Sequence, residues 1–180
     1  MASLVLKMSV SLDGYVASPD RGGAWKTAGS TTDSRDWTLE TVRGAGALLL
    51  GATAFTEMAP FWPSASGPFA GPMNAIPKVV FSRSLTSTEW GPTTIATGDL
   101  ADTVTRLAQE HADGYLLALG GARFARSLVE AGLVDEYRLV VHPVVLGAGE
   151  PLFTSPLTLD PVSTTAFSGG IVAHVLSARP

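Results

Sequence analysis

The chain has 180 residues, 46% of them hydrophobic, which suits one globular domain, residues 1–180, with a sizeable core. Charged residues are 16% and the net charge is −4, so nucleic acid and anionic membrane are excluded as general partners and an anionic ligand needs local basic residues. Cysteine is absent, which excludes disulfides, zinc–thiolate sites and thiol nucleophiles; Met1-Ala-Ser-Leu-Val-Leu-Lys7 has no signal-peptide pattern and no apolar run approaches a membrane span, so a soluble, cytoplasmic protein is expected.

Leu4, Leu6, Met8 and Val10 alternate with Val5, Lys7 and Ser9, which predicts a strand with one clear inner face, closed by an Asp13-Gly14 turn. Tyr15-Val16-Ala17 continues the extended path, and the polar stretch from Ser18 to Thr32 is a loop long enough to be functional. Asp33 reads as the N-cap of a helix with Asp36 in its first turn and Trp37 and Val42 on a buried stripe. Ala47 to Leu50 predicts a second buried strand, followed by Gly51 and a short helix over Thr53 to Met58. Pro60 to Pro77, with five prolines, reads as a surface excursion pinned by Phe61, Trp62 and Phe69 and able to line a pocket.

Lys78 to Phe81 and Thr93 to Ala96 are further strands, and Asp99 caps a helix with Leu100, Val104, Leu107, Ala108 and His111 on one face, stopped by Asp113-Gly114. Tyr115 to Leu119 is a buried strand ending in Gly120-Gly121; a helix follows with Phe124, Ala125, Leu128 and Val129 at helical spacing and Gly132 at a left-handed cap. Tyr137 to Leu146 is another apolar strand, and Val162 to Phe167 and Ile171 to Ser177 flank Ser168-Gly169-Gly170 as a hairpin. The alternation predicts an α/β fold: a mostly parallel central sheet with helices on both faces, an antiparallel C-terminal hairpin, and ligands beyond the strands' carboxyl ends.

Gly44-Ala45-Gly46 precedes its strand and Gly147-Ala148-Gly149 opens a loop, so neither is a Rossmann fingerprint. There is no P-loop or nucleophile elbow, and His111, His142 and His174 are far apart and read as structural, so no metal site is expected. Gly120-Gly121 leaves two readings: a tight turn, or a helix N-terminus shaped to accept an anion, which would offset the cost of placing Arg123 in the first helical turn. A parallel sheet would gather this turn, Gly51 with Thr53, and Ser82-Arg83-Ser84 along one edge. A dinucleotide suits that spacing, and a ribose phosphate suits the Ser-Arg-Ser turn.

Ser11-Leu-Asp-Gly-Tyr-Val-Ala17, Leu50-Gly51, Lys78-Val-Val-Phe-Ser-Arg-Ser84, Leu119-Gly-Gly-Ala-Arg-Phe124, Ala131-Gly-Leu-Val-Asp-Glu136 and Pro143-Val-Val-Leu-Gly-Ala-Gly149 together resemble the dihydrofolate-reductase-like superfamily. The branch they resemble is the RibD-type reductase domain of riboflavin biosynthesis. The resemblance implies NADPH-dependent hydride transfer to a C=N or C=O carbon of a small heterocyclic or ribosylamino-pyrimidine-like substrate, and a homodimer. It implies that Ala17 borders the nicotinamide, that Trp25 matches a family tryptophan, and that Ser82, Arg83 and Ser84 hold the 2′-phosphate. It places Gly120, Gly121, Ala122, Arg123 and Phe124 over the pyrophosphate and nicotinamide. Where the family usually has Gly-Arg-x-Thr, this chain has Gly51-Ala52-Thr53-Ala54, leaving Thr53 or Arg123 to substitute for the arginine.

Asp13 and Asp36 are the candidate proton donors, and for Asp13 a turn-shaping role stands beside the catalytic one. A non-catalytic ligand-binding protein on the same scaffold is the alternative function, and a flavin-binding module with Trp62 and Phe69 flanking the ring is a third.

Overall fold

The computed structural model describes residues 1–20, 22–111 and 113–179. The strands are β1 (Leu4–Ser11), β2 (Tyr15–Ala17), β3 (Ala45–Gly51), β4 (Lys78–Phe81), β5 (Thr93–Ala96), β6 (Tyr115–Leu119), β7 (Glu136–His142), β8 (Glu150–Pro151), β9 (Leu159–Ala166) and β10 (Val172–Ala178). The α-helices are α1 (Thr32–Arg43), α2 (Ala52–Met58), α3 (Ala70–Ala75), α4 (Leu100–Glu110) and α5 (Ala122–Glu130), with 3-10 turns at Ala24–Thr27 and Trp62–Ser64. Eight strands form one sheet in the order β5-β4-β3-β6-β1-β7-β10-β9. The pairs from β5 to β7 are parallel, whereas β7–β10 and β10–β9 are antiparallel. The expected mostly parallel sheet with an antiparallel C-terminal hairpin is thus the observed one.

Alternation along the strands divides the core in two. Leu4, Leu6, Met8, Leu49, Leu116 and Ala118 face Val104 and Leu107 of α4 and Ala125 and Leu128 of α5. On the other face Val5, Leu48, Leu50, Val80 and Leu117 meet Val42 of α1, Phe55 of α2, Met73 of α3 and Trp90.

Three local expectations are corrected. Thr31, not Asp33, is the N-cap of α1: Thr31 and Ser34 exchange side-chain-to-backbone hydrogen bonds as a capping box. Asp33 sits one position inside the helix, where its carboxylate accepts from Ser168 N at 3.0 Å and so ties the β9–β10 turn to α1. The strand predicted to reach Leu146 ends at His142, where Pro143 follows and the chain bends, still beside the end of β1, with Leu12 N donating to Val144 O at 2.7 Å. The proline-rich stretch is more ordered than an excursion. It contains α3, and Trp62 stacks 6.5 Å from the buried Trp90, so the stretch covers the sheet face and does not line the main cavity. Tyr15–Ala17 pairs with Glu150–Pro151 as a separate two-stranded ribbon.

Lys78 opens β4 yet is only 1% exposed. Its Nζ donates to Met73 O (2.9 Å), Asn74 O (3.3 Å) and Ile76 O (2.9 Å) and lies 4.7 Å from the centre of the Trp90 ring. A cation there satisfies carbonyls left open at the C-terminal end of α3, which is why a lysine is retained in a buried strand.

Among the described residues no helix is long and apolar enough to cross a membrane, and no group of three or more His, Asp or Glu side chains is placed to hold a metal.

Candidate active site

The site is built where β3 and β6 deliver their chains to α2 and α5. Gly51 is the N-cap of α2 and Gly121 that of α5, and neither helix start has a side-chain cap. Gly120 and Gly121 take φ of +79° and +81°, a region in which a side chain is strained. A Cβ on Gly121 would stand 3.5 Å from Ala54 Cβ and 3.9 Å from Gly51 N, so the two helix starts lie side by side. A Cβ on Gly51 would meet Phe124 Cβ at 2.7 Å; this glycine is required by packing. Around Gly120 the nearest atom to such a Cβ is Met58 Cε at 3.9 Å, so its backbone is open to the cavity.

The cavity has a volume of about 430 Å³. It brings together eight of the expected residues: Ala17, Gly51, Thr53, Gly120, Gly121, Ala122, Arg123 and Phe124. Phe81, the last residue of β4, also lines it and packs on Phe124 at 4.9 Å. Gly149 has φ of +152°, and a Cβ there would lie 2.2 Å from Ala17 O; this close crossing fixes Ala17 against β8. Arg126 secures β8 from the α5 side, donating to Pro151 O at 3.0 and 3.2 Å and pairing with Glu150 at 3.5 Å.

The remaining expected residues lie outside the cavity lining. Ser82 directly follows Phe81, but its Oγ is turned inward to accept from Ser84 N (3.2 Å) and Leu85 N (2.9 Å), leaving Arg83 and Ser84 exposed on the same sheet edge. Trp25 packs edge-on against His142 at 5.6 Å. Asp13 accepts from Ser11 Oγ (2.7 Å), Leu146 N (3.1 Å) and Gly147 N (2.7 Å), closing the loop after β7 onto the end of β1. These bonds, the one from Ser11 foremost, hold its pKa down at about 2. Asp36 is on the exposed side of α1.

Three charged residues in the lining escaped the sequence reading, Lys26, Glu57 and Glu150, the last paired with Arg126. Lys26 rides on the 3-10 turn inside the long polar loop, and burial lowers its pKa while Glu57 opposes that shift. Glu57 is one residue from Met58, whose side chain closes on Gly120; the helical pitch of α2 was the signal that could have placed it at the cavity.

A Bacillus subtilis (strain 168) protein called uncharacterized protein YyaP is 48% identical over 59 residues, 31% of this chain and 31% of that protein. A putative riboflavin biosynthesis protein from Shewanella sp. PV-4 has a structure similar at a TM-score of 0.79 with 19% identity, covering 99% of both chains. A diaminohydroxyphosphoribosylaminopyrimidine deaminase/5-amino-6-(5-phosphoribosylamino)uracil reductase from Thermotoga maritima is similar at a TM-score of 0.72 with 16% identity; 99% of this chain is covered, but only 57% of that one. At these identities the two solved structures show the shared fold. Residues 2–173 match the RibD C-terminal domain, and the chain belongs to that family.

Proposed function

We propose that this protein is an NADPH-dependent reductase that transfers a hydride to a C=N or C=O carbon of a small heterocyclic or ribosylamino-pyrimidine-like substrate. The observation that carries the reading is the open glycine backbone of Gly120-Gly121 at the uncapped start of α5, facing a cavity also lined by Ala17 and Arg123. The residues fit the cofactor: free N–H groups and Arg123 suit a pyrophosphate, and Phe81 and Phe124 offer apolar ring faces. Arg83, exposed after β4 and free of any ion pair among the described residues, suits the 2′-phosphate, and Ser82 and Ser84 shape its turn. Bound NADPH supplies the hydride.

The reduced atom also needs a proton. Asp13 and Asp36 remain proposed donors, acting through water because neither lines the cavity, and Glu57 and Lys26 join them because both do. Thermal unfolding with NADPH, NADH and FMN, followed by NADPH oxidation with carbonyl and imine compounds, tests the reading. The expected order is NADPH well above NADH, with no shift from FMN. Stabilisation by FMN alone would favour the flavin reading, and NADPH binding without turnover on any compound would favour a non-catalytic ligand-binding protein. That second reading is supported by Ala52, which stands where the family usually has arginine.

A further inference from the structure

Lys26 reaches the cavity from the 3-10 turn Ala24–Thr27, which glycines flank on both sides. Gly23 is exposed, and a Cβ there would meet nothing within 4 Å, so the incoming chain is not packed against a neighbour. The outgoing end is pinned: Gly29 takes φ of +72°, and a Cβ on it would stand 2.5 Å from Gly169 O in the β9–β10 turn. Within the turn Lys26 N donates to Gly23 O (3.0 Å) and Ala28 N to Trp25 O (3.1 Å), bonds that hold its shape without tying it to the sheet.

His142, the last residue of β7, supplies such a tie. It is 3% exposed, with Nδ1 3.1 Å from Ala28 O and its ring edge-on to Trp25 at 5.6 Å, so it grips the chain on either side of Lys26. A carbonyl only accepts, so the proton is on Nδ1 and Nε2 is bare. Nε2 is buried without a hydrogen-bond partner among the described residues, and so is the Nε1–H of Trp25, which can only donate. A second proton on the imidazole would therefore find no acceptor among them. The charged groups that act on the ring are Lys7, further back on β1, and Lys26, on the turn, both cations. Burial foremost, then these cations, holds its pKa below the ordinary histidine value, while the bond to Ala28 O opposes the shift. Once the turn swings away, the ring meets water and protonates at its ordinary value. Docking is thus complete above that value and weakens as pH falls from it toward the lower value of the docked form.

We propose that His142 is a pH-sensitive positioning residue: neutral, it docks the Ala24–Thr27 turn and sets Lys26 in the cavity wall, and protonated, it lets the turn go. The cavity is then complete at neutral pH and loses Lys26 from its wall in mild acid. This role holds whatever the cavity binds and is separate from the cofactor reading at Gly120-Gly121.

NMR tests this role. The indole N–H signal of Trp25, assigned by its loss in Trp25→Phe, and the backbone amide signals of Lys26 and Ala28 report the turn, while the imidazole nitrogens of His142 report its proton. Wild-type protein, His142→Asn and His142→Leu are titrated from roughly pH 8 to pH 5. In the wild type His142 should carry its proton on Nδ1 at the upper end. The turn signals should then shift with the midpoint of His142, below that of an ordinary histidine, while the indole signals of Trp37, Trp62 and Trp90 stay in place. His142→Asn can still donate to Ala28 O but takes up no proton, so its turn signals should stay near their docked positions and show no such midpoint. His142→Leu has no donor and should show the released turn at every pH; if it fails to fold, wild type and His142→Asn still decide the matter. A proton on Nε2, turn signals that ignore the His142 midpoint, or the wild-type pH profile persisting in His142→Asn would each overturn the role. NADPH takes no part in these titrations, so the reductase reading is judged independently.

Discussion

Arg83 and Asp13 show how differently two exposed charged residues at one sheet edge can be employed. Arg83 projects from a turn held by Ser82 Oγ and has no ion-pair partner among the described residues, and under the proposed function it reads the 2′-phosphate. Arg83→Ala should weaken NADPH at least about tenfold while changing NADH little, the loss expected for one charge-assisted contact; equal losses in a binding titration would show that it does not read the 2′-phosphate. Asp13 is saturated by hydrogen bonds that favour its charged form and lower its pKa from 3.8 to about 2. A carboxylate with a depressed folded-state pKa contributes stability that is complete above its unfolded value and is lost as pH falls through the folded one. Asp13→Asn should therefore flatten the decline in stability between pH 3.8 and about 2, measured against wild type by urea unfolding at several pH values. Residue by residue, the glycines and helix starts of the site were legible because their requirement is local: a positive φ, a close contact, an uncapped N–H. Lys26 and Glu57 were not, because a polar loop and an exposed helix position acquire a role only when distant strands bring them to one cavity.

The element that departs most from its sequence pattern is the segment from Pro60 to β4. Its prolines masked α3, yet Pro72 sits within the first turn of that helix, where a missing N–H costs nothing. Its C-terminal carbonyls depend on Lys78, a residue that a buried strand would ordinarily exclude. Lys78→Met keeps the volume of the side chain but leaves buried carbonyl groups unpaired, and should destabilise the protein by roughly 1–3 kcal/mol in denaturant unfolding. A neutral result would mean that water replaces the ammonium and that α3 is held by Met73 and the Trp62–Trp90 stack alone. α4 and α5 were legible for the opposite reason. Asp99 caps α4 by accepting from Ala101 N (2.9 Å) and Asp102 N (3.1 Å), and Gly132, with φ of +64°, ends α5, so the boundary signals are carried by the residues that make them.

At the scale of the molecule, strand–helix alternation specified the parallel sheet and hence the edge on which the cavity lies. It could not specify the β2–β8 ribbon, whose strands are short and remote in sequence and are joined by the close Gly149–Ala17 crossing. Nor could it show that β7 lies inside the sheet between β1 and β10. The edge strands are β5 and β9; on β9 Val162 is 61% exposed, and we propose that two copies of the expected homodimer meet there. Light scattering should give a dimer mass that Val162→Lys reduces to a monomer; a wild-type monomer at micromolar concentration would remove the proposal. The central claim is that the Gly120-Gly121 turn at the start of α5 receives the cofactor phosphates. Calorimetric titration of NADPH into wild type and Gly121→Val tests it most directly, with circular dichroism as the control for folding. A branched side chain at φ of +81°, with its Cβ 3.5 Å from Ala54, should abolish binding in a protein that remains folded; wild-type affinity in Gly121→Val would contradict the account.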